Sequence, residues 1–434
     1  MSHQALLERL SMPLERFELS CGALLCVSPR PGAPVCAIQA HVRGGPALDP
    51  RGKEGLAYLV GALADQGTPS RSDEEIAALL EPHGGELGGD ASGLAGVIVG
   101  SRWKLLLEVL CDALAHAHYP NKLFERQRQR LLDRLRLERS EPQKQGALLF
   151  RRLVYGEHWM GRAAYGDGAS IERIEPAEVR ALRRRHWCGR RLILSVCGDV
   201  DPKEVRAACE KLLAGLPPGT PLETTPPVFP ALGRRVRTFG AERKQVHVFL
   251  GHLGIRRNDP DYPALVVMDH VLGTGPGFVN RISRRLRDEL GLAYSVHASI
   301  HSSAGILPGV FSAYIGTSPE NAETAIDGFL AEMERIRGEL VPEAELETAK
   351  QYLLGSFAMG FERASRRAAY MTSSAVHGWG PDHLPKLMDA FAATTQQDVR
   401  RVAQAHLHPT RCCLAVAGPL KAGRLAKYAE DGRG

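Results

Sequence analysis

Apolar positions along the chain switch repeatedly between two spacings. VCAIQAHVRGG (35–45) alternates with the period of two expected of a strand, and LAGVIVGS (94–101) is strand-like too. Between them SDEEIAALLEPH (72–83) opens with a serine and three acidic residues, the signature of a capped helix start. WKLLLEVLCDALAHA, after the second strand, carries its leucines at helical spacing. Mixed strands and helices over so short a stretch predict an α+β domain, a sheet covered by helices.

The pattern occurs twice. YPNKLFERQRQRLLDRL (119–135) parallels VPEAELETAKQYLLGSF (341–357), each an aromatic or apolar residue, a proline and a long amphipathic helix. GLAYLVGALADQGT (55–68) parallels YPALVVMDHVLGTG (262–275), an apolar helix running into a glycine turn. Each half closes on an apolar strand and a turn, LILSVCGDVDP (192–202) and CCLAVAGPL (412–420). A repeat of this length is a duplicated domain and not a solenoid. Between the copies lies GLPPGTPLETTPPVFPALGR (215–234), whose six prolines continue neither a helix nor a central strand. The expected organisation is therefore a domain over 1–214, a linker over 215–236 and a homologous domain over 237–434.

Composition narrows the class without naming a function. With 434 residues, 44% hydrophobic and 24% charged, the chain has enough apolar material for large cores. A net charge of +6 is a mild excess and weak evidence for a nucleic-acid partner. The arginine-rich runs RQRQRLLDRLRLER (126–139) and RRRHWCGRR (183–191) lack the interleaved aromatics of a nucleic-acid surface and read as solvated helix faces. No run approaches the ~18 apolar residues of a membrane span, so no membrane partner is expected. The N-terminus has no uninterrupted apolar stretch, which argues against a signal peptide. Nine cysteines, none in a C-x-x-C pair, sit mostly in apolar runs and read as buried thiols; a cytoplasmic location is expected.

Taken in order, GLAYLVGALADQGT, EEIAALLEPHGGELGGDAS, VYGEHWMGRAAYGDGASIERI and CGDVDPKEV in the first half, with RNDPDYPALVVMDHVLGTG and RLRDELGLAYSV in the second, resemble the pitrilysin/insulinase superfamily of zinc peptidases. The likeness is to its mitochondrial-processing-peptidase-like branch and covers almost the whole chain. It implies two metalloprotease-homology domains per chain, which pair with a similar subunit into a clamshell around a peptide-sized chamber.

Active members of that superfamily carry H-x-x-E-H on the first helix. Histidines at i and i+4 share one face and bind one zinc, and the glutamate acts as general base. A more distant glutamate completes the ligand set. Mapped onto this frame, Tyr58 stands for the first histidine, Gly61 for the base and Ala62 for the second histidine; the distal glutamate falls at Arg134, or at Asp133 if the frame slips by one. Glycine and alanine have no donor atom, a phenol with a pKa near about 10 is a poor ligand at neutral pH, and a guanidinium repels a cation. The resemblance therefore implies a degenerate site, no metal in this chain, and zinc in a homologous partner subunit.

The second half keeps another feature of the family, R-x-x-x-G-L-A-Y, here Arg287, Gly291, Leu292, Ala293 and Tyr294. The resemblance implies that Arg287 and Tyr294 bind peptide and stabilise the developing oxyanion in a partner's zinc site, and both side chains can donate to a carbonyl oxygen. The alternative is an ordinary salt bridge from Arg287 to Asp288 or Glu289, with Tyr294 a core strand residue. GTGPG (273–277) resembles a shortened glycine-rich substrate loop with Gly273, Gly275 and Gly277; a helix C-cap and turn explains it equally. GGELGGDASGLA (84–95) lies where the family presents an edge strand to the peptide backbone, and its glycines either permit close approach or mark decay of that strand. The pairs His116/His118, His297/His301 (on one face of a strand) and His406/His408 have no nearby carboxylate in sequence and read as hydrogen-bonded or solvated histidines. The expected function is a non-catalytic, substrate-binding subunit of a heterodimeric zinc peptidase; the alternative is a structural or peptide-holding scaffold.

Overall fold

The computed structural model describes residues 3–223, 226–275, 280–420 and 423–429. Its eleven strands are β1 (Glu15–Glu18), β2 (Leu24–Pro29), β3 (Val35–Val42), β4 (Glu86–Asp90), β5 (Gly93–Val99), β6 (Leu192–Gly198), β7 (Arg235–Gly240), β8 (Val246–Leu253), β9 (Val296–Ser299), β10 (Val310–Thr317) and β11 (Cys413–Gly418). They form two sheets, in the orders β1-β2-β6-β3-β5-β4 and β7-β11-β8-β10-β9. Strand for strand, β2-β6-β3-β5-β4 matches β7-β11-β8-β10-β9. In each of these five-strand sets the first pair is parallel and the rest antiparallel. The duplication is thus visible as topology, and the fold is α+β. Only β1 lacks a counterpart, because β7 is preceded by the proline-rich segment and proline cannot donate to a ladder.

The helices follow their apolar spacing. Trp103–His116 buries Leu106, Leu107, Leu110, Cys111 and Leu114 along one stripe. Ser72 caps Asp73–Leu80 by accepting from the Glu75 N–H while Glu75 reaches back, a complete capping box. The two long repeat helices, Asn121–Arg139 and Glu343–Phe361, are both 19 residues and both start after a proline N-cap. Each half has its own core on one face of its sheet.

On the opposite face the halves exchange helices. Ala364–His377, from the second half, lays Ala364, Ala368, Met371 and Ala375 on Cys26, Ala37, Ile193 and Cys197 of the first sheet. Pro142–Tyr155, from the first half, packs Phe150 and Val154 on Phe249 and Ala415 of the second. This double coverage explains why β6 (LILSVCG) and β11 (CLAVAG) are apolar at nearly every position and buried throughout. A polar pair in the first contact is satisfied internally, Ser195 Oγ lying 2.9 Å from Thr372 Oγ1. The linker is pinned as well: Gly189 and Arg190 N–H donate to Pro217 and Pro218 carbonyls at 2.9 and 3.0 Å.

All nine cysteines are free thiols and buried. No helix among the described residues is long and apolar enough to cross a membrane.

Candidate functional site

The first apolar helix is Leu56–Ala64. Its N-terminus is held by Asp49, whose two oxygens accept from the Gly55 and Ala57 N–H groups at 2.8 and 2.6 Å. Burial pushes the Asp49 carboxyl up to about 6, against the effect of those bonds. Gly55 has φ +98°, and a β-carbon there would stand 2.5 Å from the Tyr165 carbonyl oxygen. This entry turn requires glycine.

The four positions that would carry a metal site lie near one another and are filled by other interactions. Tyr58 packs edge-on against Tyr165, ring centroids 4.8 Å apart. The Arg134 guanidinium sits 4.3 Å from the Tyr165 ring centroid, and its Nε pairs with Glu138 at 3.1 Å. Tyr165 thus occupies the space between the two helices, and nothing in the sequence pattern marked it. Asp133 is turned elsewhere, accepting from Gln129 and Arg136 at 2.9 Å each, so Arg134 is the residue that faces the helix. Gly61 is pressed against the edge strand: a β-carbon on it would lie 1.6 Å from the Asp90 carbonyl oxygen, and one on Gly89 would lie 2.1 Å from the Gly61 oxygen. No side chain, let alone a general base, has room at position 61. Ala62 adds only a methyl. These residues do not fit a zinc ion, because donor atoms are missing at two positions, a permanent cation stands at a third, and the gap itself is closed.

The edge strand has not decayed. The glycine-rich segment forms β4, hydrogen-bonded to β5 on one side and to no other strand among the described residues. Its alternate residues do different things: Gly89 meets the helix, whereas a β-carbon on Gly88 would have no atom within 4 Å. Beside Gly88 a cleft of about 440 Å³ is walled by Gln39, Glu86, Ala95 and Val97 from the first sheet and by Ser365 and Ala368 from the exchanged helix. An extended chain could add to the β4 edge there.

In the second half Arg287 lies on the helical segment Ser283–Glu289 and Tyr294 in the approach to β9. Arg287 Nε and Nη2 donate to the two oxygens of Asp288 at 2.8 and 3.3 Å, while Glu289 is taken by Arg285 at 2.7 Å. The ordinary salt bridge is therefore present. Tyr294 is not a core residue: it is 96% exposed, more than any other large hydrophobic side chain among the described residues. The bond to Asp288 and, as a lesser influence, the nearby Tyr294 phenol hold the Arg287 guanidinium above its ordinary range. Gly273 lies in the last turn of the helical segment His270–Thr274 and Gly275 follows as its C-cap; β-carbons there would stand 2.6 Å from Ala298 N and 2.2 Å from His270 O, so both are backbone-contact positions. Gly277 lies outside the described residues.

The histidines are rearranged relative to expectation. His301 falls beyond β9 and not on a strand face with His297; the His297 ring lies tilted against Tyr314, centroids 5.2 Å apart, while His301 Nδ1 meets the buried Asp269 carboxylate at 2.5 Å. His116 does have a carboxylate, Asp112 at 3.1 Å one turn earlier on the same helix, a spacing the sequence already shows, and His406 has Asp261 at 2.8 Å, which only the fold brings near. Asp259, Asp261 and His406 cluster closely enough to suggest a metal, but Arg401 already binds Asp261 at 2.8 Å, which disfavours a second cation. The arginine-rich helix is ion-paired along its length, Arg126 with Asp73, Arg128 with Glu125 and Arg136 with Asp133, and Arg183 donates to the carbonyls of Leu114 and Ala115 at a helix end.

Residues 173–353 match the family described as "Peptidase M16 inactive domain". An uncharacterized zinc protease of Streptomyces coelicolor is 26% identical over 383 residues, covering 85% of this chain and 81% of that protein. A mitochondrial-processing peptidase subunit beta from Lentinula edodes is 22% identical over 424 residues, covering 92% and 89%. Among solved structures, a peptidase M16 inactive domain from Pseudomonas fluorescens superposes with a TM-score of 0.87 at 21% identity, covering 94% of this chain and 98% of that one. A protease from Helicobacter pylori gives the same TM-score at 19% identity, covering 94% and 100%.

Proposed function

This chain belongs to the pitrilysin/insulinase (peptidase M16) superfamily, and from that premise we propose that it is the non-catalytic, substrate-binding and regulatory subunit of a heterodimeric zinc metallopeptidase. In this reading it holds no metal, its partner is a homologous subunit that carries the zinc, and Arg287 and Tyr294 reach into that partner's site. A cytoplasmic setting is part of the same reading.

The observation that carries it is a contrast within one molecule. The helix–strand gap at Gly61 is closed, so this chain has no place for the hydrolytic group, yet Tyr294 stands fully outward beside Arg287. An exposed phenol and an adjacent guanidinium are of use to a carbonyl oxygen supplied from outside the chain. The intact β4 edge and its cleft supply a place for an extended peptide. The Arg287–Asp288 pair favours a second reading, a peptide-holding scaffold without a role in proteolysis, because that guanidinium is already engaged.

Reconstitution with a zinc-bearing homologue separates the two. Peptide cleavage should arise only in the mixture and should fall by at least about a hundredfold with Arg287→Ala combined with Tyr294→Phe, the scale of losing an oxyanion donor. Undiminished cleavage in that double variant leaves the scaffold.

A further inference from the structure

On the face of the first sheet turned away from the Leu56–Ala64 helix, the register places Gly88 of β4, Ala95 of β5 and Gln39 of β3 side by side. Neighbouring strands lie about 4.8 Å apart, so this row forms a trough about 10 Å long, running inward from the free edge with nothing taller than a methyl before Gln39. The exchanged helix Ala364–His377 covers β2, β6 and β3, and the cleft of about 440 Å³ opens where its Ser365, Ala368 and Ala369 stand over the trough. A β-carbon on Gly88 would have no atom within 4 Å, so the open space reaches the edge itself. The next row begins with Glu86, paired with Val97. Glu86 is exposed and is the one charged residue in the lining, and its carboxylate has no hydrogen bond or ion pair among the described residues.

We propose that this trough is a specificity pocket for an extended peptide added to β4, and that it takes an aromatic side chain. The inference rests on the reading of β4 as a peptide-binding edge given above, and adds which peptides that edge selects. A strand paired with β4 lies one strand spacing outside Gly88, and every second side chain of it falls on the trough side. The residue opposite Gly88 leans inward over the bare glycine, as aromatic residues do beside glycines at sheet edges. A six-membered ring is long enough to pass Gly88 and cover Ala95; a leucine stops short, and an alanine leaves the trough empty. Lysine or arginine reaches as far but carries a charge to an inner end that holds no carboxylate, which is costly. The Gln39 amide at that end can pair with a tyrosine hydroxyl. Peptide residues two positions from the aromatic one fall on the same face, and the one opposite Glu86 meets an unpaired negative charge. An acidic residue is repelled there, and a neutral or basic one is accepted.

Isothermal titration calorimetry on the isolated full chain tests it, with capped nine-residue peptides of serine and threonine that differ only in a central phenylalanine, tyrosine, leucine or alanine. A further pair carries glutamate on both sides of the phenylalanine, two residues away, or glutamine in the same places. The two aromatic peptides should bind about tenfold or more tightly than the alanine peptide, the scale of burying one large apolar side chain, and severalfold more tightly than the leucine peptide. The glutamate peptide should bind severalfold more weakly than the glutamine one. Gly88→Val, which suits a strand and puts its side chain into the trough, should remove the aromatic preference, and Glu86→Gln should remove the penalty on glutamate. With benzoylphenylalanine at the central position, irradiation should attach the peptide within residues 86–97 or 365–369. Equal binding of the phenylalanine and alanine peptides, an undiminished preference in folded Gly88→Val, or attachment elsewhere overturns the pocket and leaves the β4 edge as an unselective peptide site. Absence of heat from every peptide at millimolar concentration overturns the pocket and the β4 reading together.

Discussion

Gly61 and Asp90 meet backbone to backbone: a β-carbon on the first would stand 1.6 Å from the carbonyl oxygen of the second. The contact joins the Leu56–Ala64 helix to the edge strand β4 beside the positions Tyr58, Gly61 and Ala62. The obstacle to a metal at these positions is therefore one of space as well as of missing ligands.

Restoring the ligands alone should fail. The variant Tyr58→His, Gly61→Glu, Ala62→His, Arg134→Glu should contain no stoichiometric zinc by metal analysis, and one zinc per folded chain would contradict the closed gap. In the same vein Gly61→Ala should cost about 3 kcal/mol or more in denaturant unfolding, because the atom it meets is main chain and cannot rotate away. Gly88→Ala, two residues before Asp90 in β4 and facing open space, should stay within about 0.5 kcal/mol.

Asp269 ties the second apolar helix to the segment after β9. It is fully buried, and its Oδ2 accepts from Ser299 Oγ, the N–H groups of Ile300 and His301, and His301 Nδ1, at 2.5–2.9 Å. Asp269→Ala should destabilise the chain by about 3–5 kcal/mol, since it strands several buried donors at once. Asp261→Ala, which loses partly exposed pairs with Arg401 and His406, should cost about 1 kcal/mol. Equal losses by equilibrium unfolding would show that burial is not what separates them.

The exchanged helices make each half depend on the other. Residues 1–214 expressed alone would expose Cys26, Ala37, Ile193 and Cys197, which Ala364–His377 covers in the intact chain. That fragment should aggregate or bind a hydrophobic dye, and co-expression with residues 215–434 should suppress both. A monomeric, cooperatively folded 1–214 fragment would refute the dependence.

Asp65 sets a pH dependence. Burial raises its carboxyl to about 6, well above the 3.8 of an exposed aspartate. Between about pH 4 and 6 the folded chain therefore holds more protons than the unfolded one, so stability falls as pH rises through that window and is level above it. Asp65→Asn removes this contribution while its side-chain oxygen can still accept from Gln66, as Asp65 does at 3.2 Å. The variant should be more stable than the parent by about 1–3 kcal/mol at pH 7 and equal to it near pH 4. Asp49, raised by burial to about the same value, supplies the slope that remains. Thermal unfolding across pH 4–7 measures it; a parallel shift at every pH would exclude the titration.

Much of this was legible in the chain itself. Periods of two and of three to four at VCAIQAHV and WKLLLEVLCDALAH fix strand and helix because each period is a local geometric property of the backbone, and their recurrence revealed the duplication. The chemical poverty of Tyr58, Gly61, Ala62 and Arg134 is likewise a property of side chains and needs no coordinates. Other features depend on which surfaces meet across the fold, and no local pattern encodes that. Tertiary packing decided that Pro142–Tyr155 and Ala364–His377 each cover the other half's sheet, that Tyr165 stands between Tyr58 and Arg134, and that His301 turns to Asp269 instead of sharing a face with His297. It also decided that Tyr294 faces outward. The sequence by itself determined what each position could do chemically; only the three-dimensional contact of two glycine-lined backbones decided that the space for a metal is gone, because close approach is set by what both partners lack, not by what either displays.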